Sequence, residues 1–150
     1  MKIRAQESTG FEKPHIPEGL HHAEFISVNS APDGKFGERV ALEFDVYYMR
    51  DKKPVRIGRI YGKKLTPKSQ LWEALNSIGA DLKVGQEIDI GALSGYKCRV
   101  MVEDYRDSDG RIVSGISKVK PAIQDTISFI EYTKKETGHR TGQDSSSTPT

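Results

Sequence analysis

The stretch of sequence that decides the fold is Arg39-Val40-Ala41-Leu42-Glu43-Phe44-Asp45-Val46-Tyr47-Tyr48. From Val40 to Tyr48, apolar residues occupy every second position. Alternate side chains of a β-strand point to opposite faces of the sheet, so this period of two indicates one buried and one exposed face. We therefore predict a strand whose exposed face consists of Arg39, Ala41, Glu43, Asp45 and Tyr47.

Shorter alternations on both sides of this strand predict the rest of a β-rich fold. A first strand is expected over about residues 20–28, and a short one around residues 88–90. The alternating segments 96–105 and 111–119 flank Asp107-Ser108-Asp109-Gly110, which is typical of a hairpin turn.

The third strand, which begins at Val55, contains a break in its alternation. The step from Ile57 to Ile60 is three residues, and Gly58 lies within it. A β-bulge at this glycine would explain the step. Beyond the bulge, Ile60 is expected to point inward, which turns Arg59 and Tyr61 outward.

One helix is predicted after the third strand. Thr66 suits the N-cap, Pro67 the first helical position, and Gly79 the position after the last turn. Trp72 lies beside the apolar stripe and is expected to help close one end of a barrel. The stripe itself consists of Leu71, Leu75 and Ile78.

This order of elements predicts a mainly β fold, a five- to six-stranded barrel of the oligonucleotide-binding (OB) type with one helix between strands 3 and 4. Residues 1–18 are expected to form an N-terminal arm, 19–122 the barrel, and 138–150 a flexible tail. Segment 123–137 is open between helix and strand, because its isoleucines have helical spacing but its composition favours strands.

Composition narrows the class of protein further. The chain has 150 residues, of which 35% are hydrophobic and 29% charged, as expected for one domain with polar tails. The net charge of +2 is too small to indicate nucleic-acid binding by itself. A single cysteine excludes an internal disulfide framework. With no signal sequence and no membrane-spanning stretch visible, we expect a cytoplasmic protein without a membrane partner.

Motifs for catalysis are not found, so we predict a protein that is not an enzyme and needs no metal or cofactor. Gly58–Lys64 resembles a phosphate-binding loop but has three residues between its glycines where that loop has four. One cysteine and no suitably spaced histidine pair make a zinc site unexpected. Glu43 and Asp45, on one strand face, leave open an alternative in which exposed carboxylates hydrolyse a substrate.

Basic residues are concentrated around the third strand. The interval from Arg50 to Lys68 contains one acid, Asp51, and eight bases. The bases are Arg50, Lys52, Lys53, Arg56, Arg59, Lys63, Lys64 and Lys68. In an OB barrel this segment belongs to the surface that contacts ligands, together with the loop between strands 1 and 2 and the last hairpin.

Basic residues interleaved with exposed rings are typical of single-stranded nucleic-acid binding, in which cations neutralise phosphates and rings stack on bases. We predict a site centred on Tyr47, Arg56, Arg59, Tyr61, Lys63 and Lys64. Its expected flanks are Lys35 and Phe36 on the first loop and Tyr105, Arg106 and Arg111 at the last hairpin. The residues alone do not separate DNA from RNA, because contacts to the 2′-hydroxyl make that distinction.

Three further motifs carry a likeness to a known family. They are Ile16-Pro17-Glu18-Gly19 followed by Ala23 and Phe25, the helix from Thr66 to Gly79 with Lys68, Ser69 and Leu71 at its start, and Leu93-Ser94-Gly95-Tyr96-Lys97-Cys98-Arg99-Val100. Over residues 16–121 the chain resembles the small OB-fold single-stranded-DNA-binding proteins of phages and related mobile elements. The resemblance implies coating of single strands in replication or recombination, often as a homo-oligomer. The tail lacks the acidic, apolar-tipped end of bacterial single-stranded-DNA-binding proteins, which recruits partners.

A second interpretation is a protein-interaction OB barrel that serves as a subunit of a larger assembly. It depends on the apolar residues of segment 123–137, which could form an interface or an extra layer of core. These residues are Ile127, Phe129, Ile130 and Tyr132.

Overall fold

The computed structural model describes residues 15–35 and 37–137. Its five antiparallel strands form one sheet in the order β3-β2-β1-β4-β5, which confirms the mainly β class. The elements are β1 (Gly19–Gly34), β2 (Gly37–Tyr47), β3 (Val55–Gly62), helix α1 (Gln70–Ile78), a 3-10 turn (Ile90–Leu93), β4 (Lys97–Arg106), β5 (Ile112–Pro121) and helix α2 (Gln124–Thr137). The predicted hairpin is confirmed as β4 and β5.

The sheet is open, because no hydrogen-bonded ladder joins its edge strands β3 and β5 within the part of the chain that the structure describes. The Arg59 side chain connects these edges. Arg59 on β3 donates hydrogen bonds from Nη1 to the carbonyl oxygens of Ile116 (3.4 Å) and Ser117 on β5. The edges therefore approach each other without pairing, and closure into a barrel stays a prediction.

The inner face of β2 is the centre of the core, as its alternation predicts. Val40, Leu42, Phe44 and Val46 are all buried. Phe44 meets Phe25 of β1 edge-on, with ring centroids 5.7 Å apart. The predicted exposure of the other face holds only in part, because Asp45 and Tyr47 are buried as well.

The β-bulge predicted at Gly58 is wrong. Strand β3 pairs with β2 without a break from Val55 to Gly62, so its period of two continues. Tyr61 is consequently buried at 4% exposure, whereas Ile60 points outward with 47% of its surface exposed. Arg59 lies on the same inward-facing side of β3 as Tyr61. An arginine is tolerated there because its guanidinium reaches the carbonyl oxygens at the open edge of the sheet.

Helix α1 confirms the predicted apolar stripe but begins later than expected. Its N-cap is Ser69, whose hydroxyl accepts a hydrogen bond from the backbone N–H of Trp72 at 3.2 Å. The same hydroxyl donates to the Thr66 carbonyl at 2.9 Å, so the predicted cap belongs to the preceding turn. Gly79 ends the helix with φ 137°, and a Cβ there would lie 2.7 Å from the ring of Tyr96.

The segment between α1 and β4 differs from the prediction. No strand forms around residues 88–90, and the 3-10 turn follows instead. Asp89 caps this turn by accepting a hydrogen bond from the Gly91 N–H at 3.1 Å, a local contact that competes with strand pairing. In β4, Cys98 is buried, and burial raises the pKa of its thiol to about 12, which leaves it unreactive.

The ends of the described chain pack against the sheet. Ile16, which lies in the predicted arm, is fully buried in the core, and its N–H donates to the Ser114 hydroxyl at 3.1 Å. Segment 123–137 is helical from Gln124 onward, and Ile130 of α2 is fully buried. Neither helix in the described ranges is long and apolar enough to cross a bilayer.

Candidate nucleic-acid interface

Helix α2 lies across one end of the outer face of the sheet, the face opposite the core. The His22 Nδ1 and the Thr126 hydroxyl are 2.9 Å apart, and the His22 ring lies 4.8 Å from the ring of Phe129. One turn later, the Thr133 hydroxyl donates to the Arg50 carbonyl at 2.7 Å. Polar contacts therefore hold much of this helix in place.

We call this end of the outer face the covered end and define it by His22, Glu24, Asp45 and Tyr47. Two of these four residues, Glu24 and Asp45, are acidic. Glu24 is paired with Asp45 in the β1–β2 register, and both are almost fully buried. The ammonium of Lys134 on α2 lies 3.1 Å from Glu24 Oε1. The helix therefore brings a cation to a carboxylate that faces away from the core.

Tyr47 belongs to this covered end, so its predicted exposure is wrong. Its side chain is 1% exposed, and its hydroxyl donates to Glu24 Oε1 at 3.5 Å. Burial, followed by the charges of Glu24 and Asp45, raises the pKa of this phenol well above its usual range. The outward parity of Tyr47 is correct, but the outer face is not exposed to solvent at this position.

Arg56 forms an ion pair with Asp45, which lies opposite it in the β2–β3 register. Its Nε donates to Asp45 Oδ1 at 2.5 Å, and this hydrogen bond is the main cause that raises the pKa of the guanidinium. The charge of Arg56 thus compensates a buried carboxylate. Because Asp45 is buried and paired, Glu43 and Asp45 do not form the exposed carboxylate pair that the hydrolase alternative requires.

Arg59 and Tyr61 lie together in the gap between β3 and β5, beneath helix α1. Besides its bonds to β5, the Arg59 guanidinium donates from Nη2 to Gln70 Oε1 at 2.8 Å. It also lies over the ring of Tyr61, 4.8 Å from the centroid. Burial raises the pKa of Tyr61 to about 12. Both residues therefore stabilise the fold, and the predicted exposure of Tyr61 is wrong.

The lysines that flank β3 remain exposed. Lys63 pairs with Glu38 at 3.2 Å, and both side chains are mostly accessible to solvent. Lys64 and Lys68 follow β3, and Lys52 and Lys53 precede it. These four ammonium groups form no ion pair within residues 15–35 and 37–137.

The predicted flanking residues have mixed outcomes. Lys35 is exposed, and Phe36 lies outside the described residues. At the β4–β5 hairpin, Tyr105 is 43% exposed and its ring covers the backbone of Gly115, where a Cβ would lie 2.6 Å away. Arg106 donates to the Gly110 carbonyl at 2.7 Å, and Arg111 is exposed beside it. This hairpin thus carries one exposed ring and two arginines.

A second part of the outer face, away from α2, is accessible, and we call it the open half (Ala41, Glu43, Gly58, Ile60 and Gly62). Ile60 lies opposite Ala41. Its neighbours on the same face of β3 are Gly58 and Gly62, which have no side chains, so the Ile60 side chain projects from this face. The Glu43 carboxylate lies against Gly58, where a Cβ would be 2.8 Å from Oε2. The exposure of Ile60 was not predicted from the sequence. An unbroken period of two through Arg59 would have predicted that Ile60 points outward.

The site contains no arrangement suited to a metal ion. Within residues 15–35 and 37–137, no three histidine, cysteine or carboxylate side chains come together as ligands. No protein-family model matches the chain, and no curated protein matches its sequence.

Proposed function

We propose that this chain is an OB-type barrel that binds single-stranded DNA, with little sequence preference and without catalysing a reaction. The observation that carries the proposal is the set of four exposed lysines at the two ends of β3, which have no carboxylate partner among the described residues. Such cations can follow a phosphate backbone, whereas the arginines of the same segment are engaged within the fold.

The barrel part of the proposal is supported by the strand order and by Arg59. An OB-fold is a five-stranded, partly open barrel that uses the surface of strands 2 and 3 and the neighbouring loops to bind oligonucleotides. Here five strands form the sheet, and Arg59 connects its two edges. The open half of the outer face belongs to β2 and β3, which is the location expected for such a surface.

The proposed site differs from the one predicted from sequence. Lys52, Lys53, Lys64 and Lys68 neutralise phosphates, and Ile60 offers an apolar contact to a base. Tyr105 on the β4–β5 hairpin is the ring left for stacking among the predicted aromatics that the structure describes. Tyr47 and Tyr61 have no part in it. Four phosphate contacts to a single strand correspond to a slope of about −3 in a plot of log affinity against log salt concentration.

Fluorescence anisotropy of labelled oligo-dT of about 30 nucleotides tests this proposal, since one OB-fold covers roughly 4–16 nucleotides. We expect affinity to fall roughly 50-fold between about 50 and 200 mM salt. Unlabelled duplex DNA should compete poorly, and single-stranded RNA as a second competitor tests the preference for DNA. No binding at micromolar protein in low salt would refute the proposal.

The variant Lys64→Ala/Lys68→Ala locates the site. Losing two of four phosphate contacts should reduce the salt slope by about half. Lys83→Ala is the matched control, because Lys83 is an exposed lysine that pairs locally with Asp81 at 3.2 Å. An unchanged slope in the double variant would show that the strand binds elsewhere on the protein.

A protein-interaction subunit is the second candidate, and one observation favours it. Ile127 on α2 and Ile123, which directly precedes the helix, are both exposed, although other residues of segment 123–137 cover the sheet. An exposed apolar pair at the start of a docked helix suits a small protein contact. Gel filtration of Ile123→Ser/Ile127→Ser beside the unmodified protein tests this candidate. Elution of both as the same monomer would count against self-association through this helix.

A further inference from the structure

Trp72 is placed unusually for the only tryptophan of the chain. It lies on helix α1 between the buried residues Leu71 and Ala74, yet it is only partly buried. It belongs neither to the core nor to the partly buried apolar residues that pack against the core. Its indole N–H donates to none of the residues that the structure describes. Trp72 therefore lies outside the core, and its partly exposed ring is accessible to a ligand, while its predicted role in closing a barrel end stays a prediction.

An open groove of about 400 Å³ runs beside this ring, between α1 and the end of β5. Ligand sites in proteins span roughly 300–1,000 Å³, so the groove is large enough to hold one nucleotide. Its lining includes Lys68, Trp72, Glu73, Asn76 and Ser77.

The polar groups of the groove are of the kinds that a nucleotide needs. Lys68 is exposed and has no ion-pair partner among the described residues. Asn76 uses its Oδ1 to accept a hydrogen bond from the Leu82 N–H at 3.2 Å, so its amide NH₂ is left to donate. The Ser77 hydroxyl can donate or accept. A flat indole next to amide and hydroxyl groups matches a nucleobase, which has an aromatic face and a polar edge.

We propose that this groove binds one nucleotide of the single strand, with its base stacked on Trp72 and its phosphate at Lys68. The inference rests on the proposed function and extends its site from the end of β3 onto helix α1. Lys64 and Lys68 lie in the same connection between β3 and α1, so a strand that follows these cations reaches the groove. The Glu73 carboxylate also lines the groove and places the phosphate at the Lys68 end, because like charges repel.

Tryptophan fluorescence reports on this groove directly, because Trp72 is the only tryptophan. Titration with oligo-dT should quench the emission, and the quenching should saturate together with the anisotropy signal. Trp72→Ala should weaken binding roughly 5- to 150-fold, which corresponds to one lost base stack. Trp72→Phe should retain most of the affinity, because a smaller ring still stacks. Glu73→Gln should raise the affinity about twofold by removing the repulsion of the phosphate.

The outcomes separate this inference from the proposed function. If oligo-dT binds by anisotropy but the emission is unchanged and Trp72→Ala binds normally, the inference is overturned and the proposed function stands. If Trp72→Ala does not fold, as judged by circular dichroism, quenching of the unmodified protein and the affinity of Trp72→Phe decide. Quenching by a proline-rich peptide but not by oligo-dT would identify a peptide groove and overturn the inference. Absence of binding in both assays overturns both proposals.

Discussion

The ion pair between Lys134 and Glu24 ties helix α2 to strand β1, and its loss should destabilise the protein strongly. Lys134→Ala removes the cation that lies 3.1 Å from Glu24, whose carboxylate side chain is 2% exposed. Breaking a buried pair from one side costs roughly 3–5 kcal/mol in the free energy of unfolding. Because Lys134 itself is 19% exposed, we expect the lower end, about 3 kcal/mol. For a chain of this size, that loss lowers Tm by roughly 6–12 °C.

Urea unfolding followed by circular dichroism measures this change, and Lys135→Ala is the matched control. Both lysines belong to the last turn of α2, so the two variants change helix propensity and the helix dipole alike. Lys135 is exposed, and its removal should cost less than about 0.5 kcal/mol. Adding Glu24→Gln to Lys134→Ala should recover part of the loss, since a neutral amide needs no counter-charge. Equal midpoints for the two single variants would refute the assignment of α2 as the helix that compensates Glu24.

Three other predictions address the covered end, the helix terminus and the open edge of the sheet. Burial, and next the charge of Arg99, lowers the pKa of His22 below its ordinary 6.5. The unfolded chain therefore binds the proton more readily, so the free energy of unfolding should decrease as the pH falls below about 6.5. Unfolding measured as a function of pH should show that His22→Asn removes this effect. Gly79→Ala should lower the free energy of unfolding by about 1–3 kcal/mol, and by more than Gly85→Ala does. Both glycines have positive φ, but of the two only Gly79 lies against a ring, that of Tyr96. Equal losses in urea unfolding would contradict this contact. Arg59→Lys should lower the free energy of unfolding by roughly 1–2 kcal/mol, because an ammonium cannot reproduce the forked hydrogen bonds to two carbonyls and an amide. Unchanged thermal unfolding would show that these hydrogen bonds do not hold the sheet edges together.

The β-rich class, the position of helix α1 and the last hairpin could be predicted because each depends on neighbours in the chain. The candidate site was predicted less well. Of its six central residues, Lys63 and Lys64 are the ones that remain exposed cations outside the packing of the fold. Arg56 is committed to Asp45, and Arg59 to the β5 carbonyls. These partners are distant in sequence or in another element, so composition alone did not reveal them.

Local periodicity determined which side chains share a face, because the geometry of a strand or helix repeats every few residues. Val40, Leu42, Phe44 and Val46 are buried as their alternation requires. The tertiary structure alone decided which outward residues stay in contact with solvent. Helix α2 begins at Gln124, far along the chain, and lies across the covered end, where Tyr47 is enclosed. Whether a face is exposed depends on the element that packs on it, and such long-range packing has no periodic signature in the sequence.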